Sequence, residues 1–263
     1  MQSLKGKVAV VTGASMGMGR AIAVALGEEG CRLGLVARSA DRLEETARLV
    51  RAKGGEAESF AGDVADPVFV RRTVERLAER SGRIDLLVNN AGTNTFHRNL
   101  ADSSVADWKR VMETNLTGAF LFTRYVLPHM RKAGSGQIII ISSGAGLQAG
   151  GPAGVAYCAS KHGLHSLTGS INAEERRHGV RACVIAPGET DTANLDLRPR
   201  PPAKADVARM LRPEDIAEAV RYVAVQPERV SVELLVVNPT VRRDYQADYE
   251  RYVADGHTRV ELD

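Results

Sequence analysis

The feature that most constrains this chain is a set of short runs without a polar break: Val8–Val11, Leu86–Val88 and Ile138–Ile141, followed respectively by Thr12, Asn89 and Ser142. A strand with one wet face alternates apolar and polar residues. Uniformly apolar runs therefore belong to strands covered on both faces, as in the middle of a parallel sheet flanked by helices. Reading along the chain predicts strands at Val8–Thr12, Arg32–Ala37, Ala57–Ala61, Ile84–Asn89, Gln137–Ser142, Arg181–Ala186 and Val232–Val237. Amphipathic stretches between them predict helices over about 17–30, 39–53, a segment ending near Ser81, a long stretch through Trp108 to Arg131, 156–178 and 213–225. That alternation predicts an α/β architecture with crossover helices, and no internal repeat accompanies it.

With 263 residues and 44% hydrophobic content, one large domain is favoured over two small ones. The formal charge of +3 is spread without a basic block, which argues against nucleic acid as a partner. The N-terminus lacks a long signal-peptide core, and no segment approaches the roughly 18 to 20 apolar residues that span a bilayer, so a cytoplasmic protein with no membrane partner is expected. Cys31, Cys158 and Cys183 stand isolated, with no Cys-x-x-Cys pair, and read as reduced thiols with no metal.

Thr12-Gly-Ala-Ser-Met-Gly-Met-Gly19 falls between the first strand and first helix. Glycines there permit a tight turn and let a pyrophosphate approach the helix N-terminus, where free amides favour an anion. The spacing of Gly13, Gly17 and Gly19 departs from Gly-x-Gly-x-x-Gly, and such turns also serve packing alone. The second strand ends Val36-Ala37-Arg38-Ser39, with no carboxylate to accept a ribose 2′-hydroxyl and an arginine suited to a 2′-phosphate. This predicts NADP(H) over NAD(H); the alternative is a solvated surface arginine. Asp63-Val64, after the third strand, is read either as an adenine contact or as a helix N-cap.

Tyr157 and Lys161 are four residues apart, hence on one face of a helix. Bringing a phenol from its ordinary pKa of about 10 to near 7 takes about 4 kcal/mol, and a nearby cation works in that direction. Upstream, Ser142-Ser143 closes a strand and puts a hydroxyl at the sheet edge, and the following glycine-rich loop returns the chain towards Tyr157. A hydroxyl and a phenol sharing one carbonyl oxygen is the arrangement required of an oxyanion stabiliser and a general acid.

On these residues the sequence resembles the short-chain dehydrogenase/reductase family. Its Thr-Gly-x-x-x-Gly-x-Gly pattern matches 12–19, Asn-Asn-Ala-Gly matches 89–92 and Tyr-x-x-x-Lys matches 157–161. Asn115, Ser143, Pro187-Gly188 and Thr192 fall at further family positions, so the resemblance runs from about Lys5 to Pro239. It implies a single-domain Rossmann-type three-layer α/β sandwich around a doubly wound parallel sheet of about seven strands, over 1–240, with a tail at 241–263. It also implies hydride transfer between a nicotinamide and a small-molecule alcohol or carbonyl substrate.

Within that resemblance Asn115, Ser143, Tyr157 and Lys161 are the catalytic set: Tyr157 exchanges the hydroxyl proton, Ser143 binds the substrate oxygen, Lys161 holds ribose hydroxyls and Asn115 positions a water. The cofactor set is Gly13, Ser15, Gly17, Met18, Gly19, Arg38, Asp63, Val64, Asn90, Ala91, Gly92, Tyr157, Lys161, Pro187, Gly188 and Thr192. A homo-oligomer, dimer or tetramer, is also implied.

Three departures matter. Met16 stands where NADP-preferring members are often basic, which leaves a 2′-phosphate to Arg38 and Ser15. Ser143 and Tyr157 are separated by fourteen, one more than is usual, which Gly150-Gly151 would absorb and which keeps Ser142 open as the serine. The last strand ends Val237-Asn-Pro-Thr240 where many relatives have Asp-Gly-Gly, and the tail beyond it is read as covering a neighbouring subunit or as disordered.

The Pro-rich segment 189–210 is read as a loop over the substrate without regular structure. His162 and His165 lack acidic or cysteine companions and read as structural or interface residues, not metal ligands. His97, Gln148 and Glu189 read as loop residues, and Trp108 with 116–122 as helix packing. A cofactor-binding sensor without turnover is the alternative class, but it predicts damage to the Ser, Tyr or Lys positions, and all three are intact.

Overall fold

The computed structural model describes residues 2–150, 153–195, 198, 202–243, 250 and 254. Seven parallel strands, β1 (Val8–Thr12), β2 (Arg32–Ala37), β3 (Glu56–Ala61), β4 (Leu86–Asn89), β5 (Gly136–Ile141), β6 (Val180–Pro187) and β7 (Leu234–Val237), form one sheet in the order 3-2-1-4-5-6-7. The helices between them are α1 (Gly17–Glu28), α2 (Ala40–Ala52), α3 (Pro67–Ser81), α4 (Val105–Met112), α5 (Gly118–Ala133), α6 (Val155–Glu175), α7 (Lys204–Val207) and α8 (Pro213–Ala224).

Because successive strand residues point to opposite faces, each apolar run feeds two cores. Ile139 and Ile141 pack with Val11, Leu35 and Ile185 in a core shared with α1, α2 and α8. Ile138 and Ile140 pack with Val10, Leu87 and Ala182 against α3, α5 and α6. All four isoleucines are at most 2% exposed. Fully burying each contributes about 1.5–3 kcal/mol, which is why no polar residue interrupts the run.

Strand order reverses between β1 and β4, and in sheets of this kind the crevice at such a switch point, beyond the strands' C-terminal ends, is where ligands bind. The Thr12 hydroxyl spans it. Its Oγ1 accepts from the backbone N–H groups of Asn90 and Ala91, both at 3.0 Å, and donates to Val88 O at 3.4 Å.

Several expectations need correction. The long helical stretch through Trp108 runs unbroken from Val105 to Ala133, but a π turn at Glu113–Thr117, not foreseen from the pattern, separates α4 from α5. β4 and β7 begin two residues later than their patterns suggest, because apolar character continues past the paired backbone. The segment 189–210 is partly regular: Thr190 bridges Leu211, Ala193–Leu195 forms a 3-10 turn and α7 follows. Residues 196, 197 and 199–201 of that loop, Gly151 and Pro152 of the turn before Tyr157, and most of the tail lie outside the described residues. Among the described residues no helix is long and apolar enough to cross a membrane, and no group of three or more His, Cys, Asp or Glu is placed to hold a metal.

Candidate active site

The dinucleotide side of the crevice is built by close backbone approach. A Cβ on Gly19 would lie 2.1 Å from Gly13 O, so only glycine lets α1 begin this near the turn. Gly17 has φ +53, in the left-handed region, and a Cβ there would sit 3.5 Å from Thr192 Cγ2. The segment after β6 thus faces the glycine turn directly. Asn90 fastens the turn by donating its side-chain amide to Thr12 O at 2.9 Å and Gly13 O at 3.3 Å.

Other residues of the predicted cofactor set divide by what their side chains do. Val64 packs under Gly118 and Met18 packs against the core, so neither side chain is free to take up a ligand. Ser15 O accepts from Arg20 at 2.9 Å. Asp63 is not the cap of α3: its carboxylate accepts from Ala65 N at 2.9 Å, and Asp66, accepting from Val68 N, caps the helix. Arg38, just past β2, is exposed and has no hydrogen-bonding or ionic partner among the described residues. Pro187 ends β6, and Gly188 N donates to Val237 O at 2.7 Å. A Cβ on Gly188 would meet Asn238 Oδ1 at 2.7 Å, so the Asn238-Pro239 departure is packed tightly onto this segment.

The reacting side is organised by α6. Ser143, not Ser142, acts on the Tyr157 phenol, whose pKa it lowers, and its Oγ accepts from Ala145 N at 3.2 Å. Ser142 Oγ instead donates to Lys161 O at 3.1 Å and lies 3.1 Å from His165 Nε2. One turn along α6 from Tyr157, the Lys161 ammonium donates to Ile141 O at 2.9 Å and lies 5.5 Å from the centre of the Tyr157 ring. Lys161 is 3% exposed, and burial pushes its pKa down from the usual 10.5 to about 8.

Tyr157 is only half-buried by surface area, yet burial of its phenol end is the largest influence and pushes its pKa above the usual 10. Ser143 and the charges of Arg98 and Arg198 oppose that rise without overcoming it. In neutral solution the phenol therefore carries its proton. Sequence motifs did not point to Arg98 or Arg198, because neither belongs to a recurring pattern. Arg98 is buried, its Nε donates to Thr95 O at 2.8 Å, and its carbonyl accepts from Val155 N at 3.0 Å beside the start of α6.

Asn115 lies in the π turn, almost fully buried. Its Oδ1 accepts from Thr93 N at 2.7 Å, and its Nδ2 donates to Thr93 O and Ser160 Oγ, both at 3.0 Å. Both amide protons are thereby used, and the side chain ties the loop after β4 to α6. His97 is exposed and packs edge-on to Phe96, while Gln148 is exposed on its loop. Glu189 is buried and ion-pairs with Arg198 and, at 3.1 Å, with Arg243, so it anchors the loop instead of standing free in it. His162 Nδ1 lies 2.9 Å from Cys158 O.

A nicotinamide dinucleotide fits this crevice. The glycine turn, with Gly19 packed against Gly13 O, sets the N-terminus of α1 at the crevice, and Lys161, with three protons to donate, has one hydrogen bond among the described residues. A Cβ on Gly92 would lie 3.6 Å from Lys161 Nζ, so Gly92 keeps the approach to that ammonium open.

A parallel sheet with a glycine-rich turn at its switch point, and a Ser-Tyr-Lys cluster across the crevice, defines an oxidoreductase class. The chain belongs to the short-chain dehydrogenase/reductase family: the family's short chain dehydrogenase model matches residues 7–200. It is similar to a metagenomic short-chain oxidoreductase solved in complex with NADP, with 37% identity and a TM-score of 0.79 over 92% of this chain and 100% of that one. It is also 39% identical to cis-4-hydroxycyclohexanecarboxylate dehydrogenase of Sinomonas cyclohexanicum, over 83% of this chain and 89% of the relative. The 3-oxoacyl-[acyl-carrier-protein] reductase of Synechocystis is 37% identical over 86% of this chain and 92% of its own length.

Proposed function

We propose that the protein is an NADP(H)-dependent oxidoreductase that interconverts a secondary alcohol and a ketone, with Tyr157 as the proton-transfer residue. The observation that carries this reading is the buried Lys161 ammonium 5.5 Å from the centre of the Tyr157 ring, with Ser143 close enough to act on the phenol. Two hydroxyls converging from β5 and α6 can both point at one carbonyl oxygen. A relative that reduces 3-oxoacyl groups and one named for a hydroxy compound support alcohol–carbonyl chemistry.

When bound, the nicotinamide supplies a hydride to the carbonyl carbon or accepts it back. In the reducing direction Tyr157 Oη gives its proton to the carbonyl oxygen as negative charge develops there. Ser143 Oγ holds that oxygen in place and stabilises the charge. Lys161 directs its remaining protons to ribose hydroxyls and, as a cation near the ring, eases loss of the phenol proton. Asn115, its amide protons committed to Thr93 and Ser160, holds the loop after β4 against α6 and would position a water in the proton relay.

The NADP preference rests on the unpaired Arg38 and on Ala37, where an acid would repel a 2′-phosphate; the similar NADP complex supports it. A substrate screen followed by NADPH absorbance, comparing both cofactors before and after Arg38→Ala, tests the reading. An unchanged cofactor ratio after Arg38→Ala would sink the NADP assignment. We also read 1–240 as the catalytic domain with 241–263 as a tail, and the protein as cytoplasmic and homo-oligomeric. Half-exposed Leu234 and Val236 on the edge strand β7, with Tyr222 on α8, support self-association.

A further inference from the structure

The lip of the glycine turn carries three arginines in different situations. Arg20 is committed: it grips Glu45 through both terminal nitrogens and also donates to Ser15 O and Thr46 Oγ1. Arg38, leaving β2, has no partner among the described residues. Arg42, in the first turn of α2, rests its Nη1 3.5 Å from Met16 Sδ, and Met16 is the residue immediately before α1.

A thioether is a weak acceptor, so this contact leaves the Arg42 guanidinium unsatisfied. The nearby acids do not neutralise it. Glu45 is taken by Arg20, and Asp41 forms no ion pair with Arg38 or Arg42. Two uncompensated guanidiniums thus stand on the same segment, one at the end of β2 and one four residues further on. The second lies over the residue whose side chain is apolar where a cation would serve a phosphate.

Resting on the NADP reading above, we propose that Arg42 is a second binding residue for the 2′-phosphate, delivered from α2 across Met16 and completing with Arg38 a two-arginine clamp. A phosphate dianion has oxygens enough to accept from both planar forks, and replacing a sulfur contact by charge-assisted hydrogen bonds favours the bound arrangement. Met16 then works as a rest for the arginine and not as a missing cation. An NAD ribose hydroxyl offers nothing comparable, so Arg42 should distinguish the cofactors.

The test is direct binding, by calorimetry, of NADPH, NADH and adenosine 2′,5′-bisphosphate to wild type, Arg42→Ala, Arg42→Lys and Arg38→Ala. Arg42→Ala is expected to weaken NADPH and the bisphosphate about three- to tenfold, less at high salt, with NADH unchanged within about twofold. Arg42→Lys should recover part of the loss. Equal weakening of NADPH and NADH would overturn the proposal, since Arg42 would then only shape the turn through Met16. Loss of NADPH affinity in Arg38→Ala but not Arg42→Ala would overturn it while leaving the NADP reading standing. Equal affinity of wild type for NADPH and NADH, unaltered by Arg38→Ala, would overturn both.

Discussion

The Ser142 hydroxyl donates to the Lys161 carbonyl at 3.1 Å, whereas Ser143 acts on the Tyr157 phenol. Adjacent serines after one strand thus have different partners, and different effects are expected of their removal. Ser143→Ala is expected to lower kcat about 10²- to 10³-fold with little loss of stability, the size seen when one oxyanion donor is removed. Ser142→Ala should instead cost about 1–2 kcal/mol of stability and leave kcat within about tenfold. Steady-state kinetics and denaturant unfolding on the two variants separate these outcomes; a reversed pattern would assign the substrate contact to Ser142.

Tyr157→Phe removes the transferable proton and keeps the ring beside Lys161. Turnover should fall by at least about 10²- to 10⁴-fold while NADPH binding, measured by fluorescence titration, stays close to wild type. Substantial residual turnover would remove Tyr157 from the proton-transfer role.

Lys161 makes stability depend on pH in a defined direction. Its pKa is about 8 in the folded protein against 10.5 ordinarily, so between these values the unfolded chain binds more protons and stability rises with pH. The contribution is full above 10.5 and is lost as pH falls through 8. Comparing urea unfolding of wild type with Lys161→Met from pH 7 to 10.5 should show wild type gaining about 3 kcal/mol relative to the variant. Parallel curves would show that burial does not depress this ammonium.

Thr12→Val keeps the shape of a 2% exposed side chain and removes the acceptor for Asn90 N and Ala91 N. Leaving two such donors unpaired should cost about 2–5 kcal/mol. It should also weaken dinucleotide binding, because the glycine turn loses its tie to β4. Thr12→Ser, which retains the oxygen, should recover most of both in thermal unfolding and binding assays.

How far the sequence could be read follows the range of the interactions. Ile138–Ile141 announced a doubly covered strand because each residue's burial is written in its own apolarity. Arg38 was legible as an unopposed cation because its position follows directly from the strand end. The π turn was not legible: Glu113–Thr117 looks like ordinary helix, and Asn115 takes its partners Thr93 and Ser160 from residues 22 and 45 positions away. Nor was Glu189, a loop acid by sequence, whose burial depends on Arg198 and Arg243 arriving from separate segments.

The sequence by itself determined the alternation of strands and helices, the glycine turn, and the spacing of Tyr157 and Lys161 on one helical face, because all of these are set by neighbours within a few residues. Only the tertiary structure decided which serine meets Tyr157, that Asp66 and not Asp63 caps α3, and that Arg42 reaches the lip of the glycine turn. Those choices depend on which distant backbone and side-chain groups the folded sheet brings within hydrogen-bonding distance, and short-range pattern carries no record of them.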